Sequence, residues 1–236
     1  MEIKTLTYNL NFGKAWNKIG GIIKSTKPDI IALQEINTAD ENLIQIRKYG
    51  YELAEYSNSE LKFNNIFGIA TFYRKEKLSF IRASSFDLPF GIHEIFQFFL
   101  FGGRRQRTVL KTEFQFKSNK KLNLWNVHFS AFTMNRLRIK QLEETLEHLK
   151  NDIQPTIMLG DFNYPYGRKK LEELFDAYDL KEATTNVHHT FKSTMPFMPV
   201  KFKLDYIFYK NLKHVETSKI DTTLSDHLPI VSVFNL

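Results

Sequence analysis

Apolar residues alternate with polar ones, or run together in short blocks, at eight places: Ile3–Asn9, Asp29–Gln34, Ile66–Tyr73, Arg107–Phe116, Leu122–His128, Thr156–Leu159, Leu204–Tyr209 and Ile230–Phe234. Short runs rich in Ile, Val, Leu, Phe and Tyr, bounded by Gly, Pro, Asn or Asp, predict strands. Between them the period lengthens to that of a helix. Ile139, Leu142, Leu146 and Leu149 fall on one face of a helix predicted from near Thr133 to near Asn151. Leu171, Leu174, Phe175 and Tyr178 mark another. Trp16, Ile19 and Ile23 mark a helix near the start, which must stop before Pro28 because proline disfavours helical geometry in the residue ahead of it. The runs 107–116 and 122–128 are separated only by a short Ser-Asn-Lys turn and predict an antiparallel pair. Mixed strands and helices with much antiparallel pairing imply an α/β fold.

The chain has 236 residues and no internal repeat, low-complexity run or Pro/Gly/Ser linker, so residues 1–236 are expected to form one domain. A folded chain of this length hides roughly 70–75% of the surface its unfolded form exposes, enough for a real core. The composition is 42% hydrophobic and 25% charged, ordinary for a globular protein, but Phe is abundant at 22 residues. That implies an aromatic core, exposed aromatic surface, or both. Cysteine is absent, which excludes disulfides, thiolate metal sites and a cysteine nucleophile. Met1 leads straight into an alternating pattern with no signal-peptide character, so a cytoplasmic protein is expected, and we expect a monomer. The net charge of +7 favours polyanionic partners, nucleic acid or an anionic membrane.

The candidate chemistry lies where polar residues meet strand ends. Gly160-Asp161-Phe162-Asn163 follows the short apolar run 156–159, and Ser225-Asp226-His227 precedes the last strand. Glu35 and Asn9 end the second and first strands, His128 ends another, and Asp205 interrupts an apolar one. Each has a plain alternative. Asp161 and Asn163 suit an Asx turn, Asp226 a solvated loop, and His128 a satisfied core histidine. Asp205 is the least comfortable in that light, since a carboxylate inside an apolar strand is costly unless paired, and a histidine is its natural partner. Independent turns would not be expected to place this whole set at successive strand ends.

Tyr8-Asn9, Leu33-Gln34-Glu35, Asn126-Val127-His128, Gly160-Asp161-Phe162-Asn163, Leu204-Asp205-Tyr206 and Ser225-Asp226-His227, in that order, resemble the endonuclease/exonuclease/phosphatase superfamily, the DNase-like metal-dependent phosphoesterases. The resemblance implies a four-layer α/β sandwich, two mixed and mostly antiparallel sheets flanked by helices, with the site at one end. It implies a Mg²⁺ (or Mn²⁺) ion held by Glu35, with Asn9 beside it and Asp226 in the metal region. Asp161 would orient or deprotonate the attacking water. Asn163 and His128 would donate hydrogen bonds to phosphoryl oxygens, and His227, held by Asp205, would stabilise the phosphorane or move a proton. Relatives place a phosphate-binding Arg ahead of the strand at 108–116. Arg107 is the candidate here, with Arg104 and Arg105 as competitors and a solvated basic turn as the alternative.

The implied reaction is hydrolysis of a phosphate ester, with a nucleic-acid phosphodiester first among substrates. A lipid phosphodiester of the neutral sphingomyelinase type comes second, and a phosphatase or a catalytically silent binding module remains open. Leu204-Asp205-Tyr206 departs from the Trp-Cys-Asp-Arg type segment of the inositol 5-phosphatases, and Trp125 and His128 depart from the Tyr and Asn of the AP endonucleases. The helix with Arg136 and Gln141 resembles the sphingomyelinases and tyrosyl-DNA phosphodiesterases. Phe86–Phe101, followed by a Gly-Gly-Arg-Arg stretch, is too short and too polar to span a membrane. It could pack under a loop, dip into an anionic membrane surface, or stack on bases.

Overall fold

The computed structural model describes residues 1–62, 64–91, 107–131, 133–195 and 198–236. Fourteen strands are formed among them: β1 (Glu2–Asn9), β2 (Ile30–Asn37), β3 (Glu52–Lys62), β4 (Asn65–Tyr73), β5 (Leu78–Asp87), β6 (Thr108–Phe116), β7 (Lys121–His128), β8 (Thr156–Asp161), β9 (Lys181–Glu182), β10 (Phe191–Met195), β11 (Met198–Phe202), β12 (Asp205–Lys210), β13 (Lys213–Lys219) and β14 (Ile230–Asn235). The helices are α1 (Trp16–Thr26), the short α2 (Asp40–Leu43) running into a 3₁₀ turn at Ile44–Tyr49, α3 (Asn135–Leu149) and α4 (Arg168–Asp176). All eight strands and three helices predicted from periodicity are present. α1 ends in a left-handed cap at Lys27, directly before Pro28.

Two six-stranded sheets carry the fold, in the orders β13-β14-β1-β2-β4-β3 and β5-β6-β7-β8-β12-β9, with β10-β11 as a separate hairpin. Most neighbours are antiparallel, but each sheet has one central parallel pair, β1/β2 and β7/β8. A parallel pair needs a crossover, and α1 and α3 supply one each. Both strands of such a pair end at the same edge of the sheet. That brings Asn9 level with Gln34, and His128 level with Asp161.

Alternation along the strands separates three apolar clusters. Ile3, Ile30, Ala32, Leu122, Leu124, Ile157, Leu159 and Ile207 meet between the sheets. Leu6, Tyr8, Ile31 and Leu33 face the other way, against Ile19, Ile22 and Ile23 of α1. Trp125, Val127, Met158, Tyr206 and Phe208 pack on Leu142, Leu146 and Leu149 of α3 and Phe175 of α4. Helix, sheet, sheet and helix therefore form the four layers. Extending the inward alternate positions toward the strand ends gives Asn126 and His128 on β7, Asp161 on β8, Asp205 on β12, and Asn9 on β1. The face that is apolar in the middle of the sandwich becomes polar at one end, and the site is built there.

Candidate active site

Asp161 is the last residue of β8, so its backbone is held by β7 on one side and β12 on the other, opposite His128 and Asp205. Gly160 has φ +136°, and a Cβ there would meet the Val127 carbonyl, so only glycine allows β7 and β8 to approach this closely. Phe162 is fully buried, with the rings of Phe129, Phe175, Tyr206 and Phe208 packed edge-on around it. That aromatic anchor pins the two polar residues flanking it. Part of the high Phe content is spent here.

The Asp161 carboxylate is 1% exposed and accepts hydrogen bonds from three protein donors. The Asn163 backbone N–H reaches Oδ1 at 2.9 Å, while Asn9 Nδ2 and Asn163 Nδ2 each reach Oδ2 at 3.0 Å. Asn163 gives its other amide hydrogen to the Phe129 carbonyl at 3.0 Å. In this structure both its amide hydrogens are directed to protein acceptors, and Asn163 holds Asp161 in place. Asn9 is fixed in turn, its Oδ1 accepting from the Asn11 N–H at 3.0 Å and its carbonyl from Ser225 Oγ at 2.8 Å. Ser225 Oγ also accepts from the His227 N–H at 3.0 Å, so one hydroxyl ties the first strand to the loop before the last.

His227 and Asp205 form the pair that the strand pattern suggested, Nδ1 to Oδ2 at 2.8 Å, and both are buried. Asp205 opens β12 rather than interrupting it. His227 Nε2 lies 3.7 Å from Asp161 Oδ2. Burial alone would discharge this imidazole, but Asp205, Asp161 and Asp226 outweigh it and raise its pKa to about 10. Asp161 is pushed up to about 7 by burial, with Asp205 adding to the rise and His227 opposing it. Asp226 is half-buried beside this cluster, and its backbone carbonyl accepts from the Lys192 N–H.

Glu35 stands across the site. It has the left-handed φ of 51° at a bulge where the β2/β4 register shifts between Gln34 and Ile36. The bulge frees its side chain from the strand alternation. Oε2 accepts from the Phe12 N–H at 3.0 Å, and Oε1 lies 3.6 Å from His128 Nε2. Burial raises the pKa of this carboxyl, against the pull of Arg107 and His227.

Arg107 is buried, with Nη1 3.1 Å from His128 Nδ1 and 3.5 Å from Glu60 Oε2. Expected to contact substrate phosphate, this guanidinium directs Nη1 to the protein groups His128 and Glu60. Arg104, Arg105 and most of the aromatic stretch 86–101 lie outside the described residues. Of that stretch, Phe86 stacks on His148 and Phe90 is 60% exposed. Arg136 is exposed; Arg138 and Gln141 are the residues of α3 that hold the loop after β7, both bonded to Ser130.

The hydrophobic pattern of the sequence does not mark out Glu60 or the roles of Gln34 and Asn126. Glu60 sits on a polar, bulged strand with no regular alternation. Gln34 and Asn126 join the two sheets through a 2.7 Å bond, and Asn126 also donates to the Leu33 and Ala70 carbonyls. A polar residue at an inward position of an apolar strand, one place before Glu35 or two before His128, was the available clue.

A divalent cation fits this donor set. Glu35, Asp161 and Asp205 are carboxylates with little or no solvent contact, and Asp226 is half-buried. His227 and Arg107 are cations set against them among the described residues. Among the described residues, Asp161, Asp205 and His227 bring ligand atoms within 4.8 Å of one another. Within that group the Nδ1–Oδ2 bond commits Asp205 to His227. This leaves Glu35, Asp226 and the remaining lone pair of Asn9 Oδ1 as the freer oxygens.

Two packed sheets with a helix layer on each side and an Asn/Glu/His/Asp/His constellation at one end define a DNase-like phosphoesterase fold. The chain belongs to the Endonuclease/Exonuclease/phosphatase family, whose sequence profile matches residues 6–227. A UPF0294 protein of Photorhabdus laumondii is 31% identical over 136 residues, covering 56% of this chain and 49% of that protein. The chain therefore spans about half the length of the curated relatives it matches. Among solved structures, the human Nocturnin catalytic domain with bound sulfate superimposes with a TM-score of 0.78 at 20% identity, over 99% of this chain and 94% of that one. D. rerio TDP2 complexed with single-strand DNA product gives 0.75 at 17% identity, over 100% and 99%. At these identities the likeness is one of fold.

Proposed function

We propose that this chain is a Mg²⁺-dependent phosphodiesterase that hydrolyses nucleic acid. The observation that carries the reading is the convergence on Asp161: Asn9 and Asn163 fix its carboxylate, while the His227–Asp205 pair and His128 Nε2 face it at 3.6–3.7 Å. In this reading Glu35, Asn9 and Asp226 would hold the cation, which when bound would supply polarisation of the phosphoryl group and stabilise the leaving oxygen. Asp161 aligns the attacking water and takes its proton. His227, kept protonated by Asp205, stabilises the negative charge that builds on the phosphoryl oxygens. His128 donates from Nε2, a buried atom with no hydrogen-bond partner among the described residues. A buried donor left open at a site of this kind suits an oxygen supplied by substrate.

The preference for nucleic acid is supported by the net charge of +7 and by likeness in fold to a protein solved with single-strand DNA product. A panel of plasmid DNA, single-stranded DNA and RNA, a 5′-tyrosyl oligonucleotide, sphingomyelin vesicles and inositol phosphates, each with Mg²⁺, tests it. Cleavage of one or more of the nucleic acids is expected. Turnover confined to sphingomyelin would replace the reading with a lipid phosphodiesterase, and turnover confined to inositol phosphates with a phosphatase.

A further inference from the structure

We propose that Arg107 is a positioning residue: backed by Glu60, it locks His128 in the tautomer that carries its proton on Nε2, so that His128 meets its ligand as a donor and never as a lone pair. A guanidinium has five N–H donors and no acceptor, and it stays protonated in proteins. Its Nη1 lies 3.1 Å from His128 Nδ1, so that nitrogen must accept. The one proton of the neutral ring is then on Nε2.

The far side of the ring agrees. Nε2 is 3.6 Å from both Glu35 Oε1 and Asp161 Oδ2, two acceptors that a bare nitrogen lone pair would repel. His128 is 1% exposed, so its ring nitrogens meet protein groups and not bulk solvent.

Arg107 is held by more than His128. Glu60 Oε2 lies 3.5 Å from the same Nη1, and next to this pair Ser59 Oγ and Thr108 Oγ1 are 3.2 Å apart. The bulged end of β3 in one sheet is thereby tied to the start of β6 in the other. The same geometry removes His128 from any cation-binding set, since ligation needs the lone pair that the proton occupies. Donation to a phosphoryl oxygen rests on the function proposed above. The tautomer does not.

Long-range ¹H–¹⁵N correlation of the imidazoles in the labelled full chain, without substrate or metal, reads the tautomer directly. His128 is expected to show a protonated Nε2 and a bare Nδ1; an Nδ1–H ring, or an average of the two, overturns the proposal. Arg107→Met combined with Glu60→Met removes both charges together, avoiding a lone buried carboxylate. In that variant the tautomers are expected to average, and kcat on the best panel substrate to fall roughly 10- to 100-fold with KM little changed. Persistence of the Nε2–H ring in the double variant, or a rise in KM with kcat intact, would make Arg107 something other than the positioning group. Should the double variant not fold, the wild-type spectrum decides. A chain that turns over no phosphoester yet holds the Nε2–H ring keeps this inference and loses the proposed function.

Discussion

Asp161→Asn is expected to lower turnover of a phosphodiester by roughly 10³-fold, the scale of a lost general base, while the protein stays folded. The side chains are of nearly equal volume, so packing against Phe162 and the β7/β8 edge is kept. The chemistry is not. Asp161 presents two acceptors, one to the Asn163 N–H and the other to the amides of Asn9 and Asn163. An amide can satisfy only one of these sides, and its NH₂ must face donors on the other. It also has no basic oxygen to take a proton from water. Folding tolerates the change because burial disfavours the Asp161 charge, as its pKa near 7 reflects. A thermal melt beside the kinetic assay separates the two effects. Unchanged turnover in a folded Asp161→Asn protein would take water activation away from this residue.

Chelation is expected to have an effect as large. The site collects Glu35, Asp161, Asp205 and Asp226 around His227 and Arg107, and Arg107 is engaged with His128 and Glu60. Burial raises the pKa of Glu35 against the pull of Arg107 and His227, and a bound cation would favour its ionised form. EDTA should abolish turnover, and Mg²⁺ or Mn²⁺ should restore it. Because a cation bound to the folded state alone stabilises it, saturating Mg²⁺ at about 100 times its Kd should add about 2.7 kcal/mol and raise the melting temperature. Full activity in excess EDTA would show that the carboxylates serve another purpose.

Much of this was legible from the chain because the strands announce their own ends. An apolar run that stops at Asn9, His128 or Asp161 places those residues at a sheet edge, and parallel pairing then puts two such ends side by side. Asp205 was legible for a different reason: a carboxylate next to an apolar strand needs a partner, and His227 is that partner at 2.8 Å. Edge and hairpin strands were not legible. β5 and β13 are largely exposed and lack a regular apolar face, so their pairing partners, not their own sequence, make them strands. Bulges were hidden for the same reason. Neither the shift that turns Glu35 into the site nor the one beside Glu60 leaves a mark on hydrophobic periodicity. Arg107 was found as a residue of interest, but its partners come from two other strands, one in the opposite sheet. Only the assembled sandwich reveals that it serves His128.

The most direct test of metal-dependent phosphoester hydrolysis at this site is to run the reaction on a simple phosphodiester in ¹⁸O-enriched water with Mg²⁺ and to weigh the products. Attack by a water held at Asp161 predicts one ¹⁸O on the phosphoryl product per turnover, with no label and no product when EDTA replaces Mg²⁺. Product formed without label in the phosphoryl group, or labelled product formed equally well in EDTA, would contradict the account.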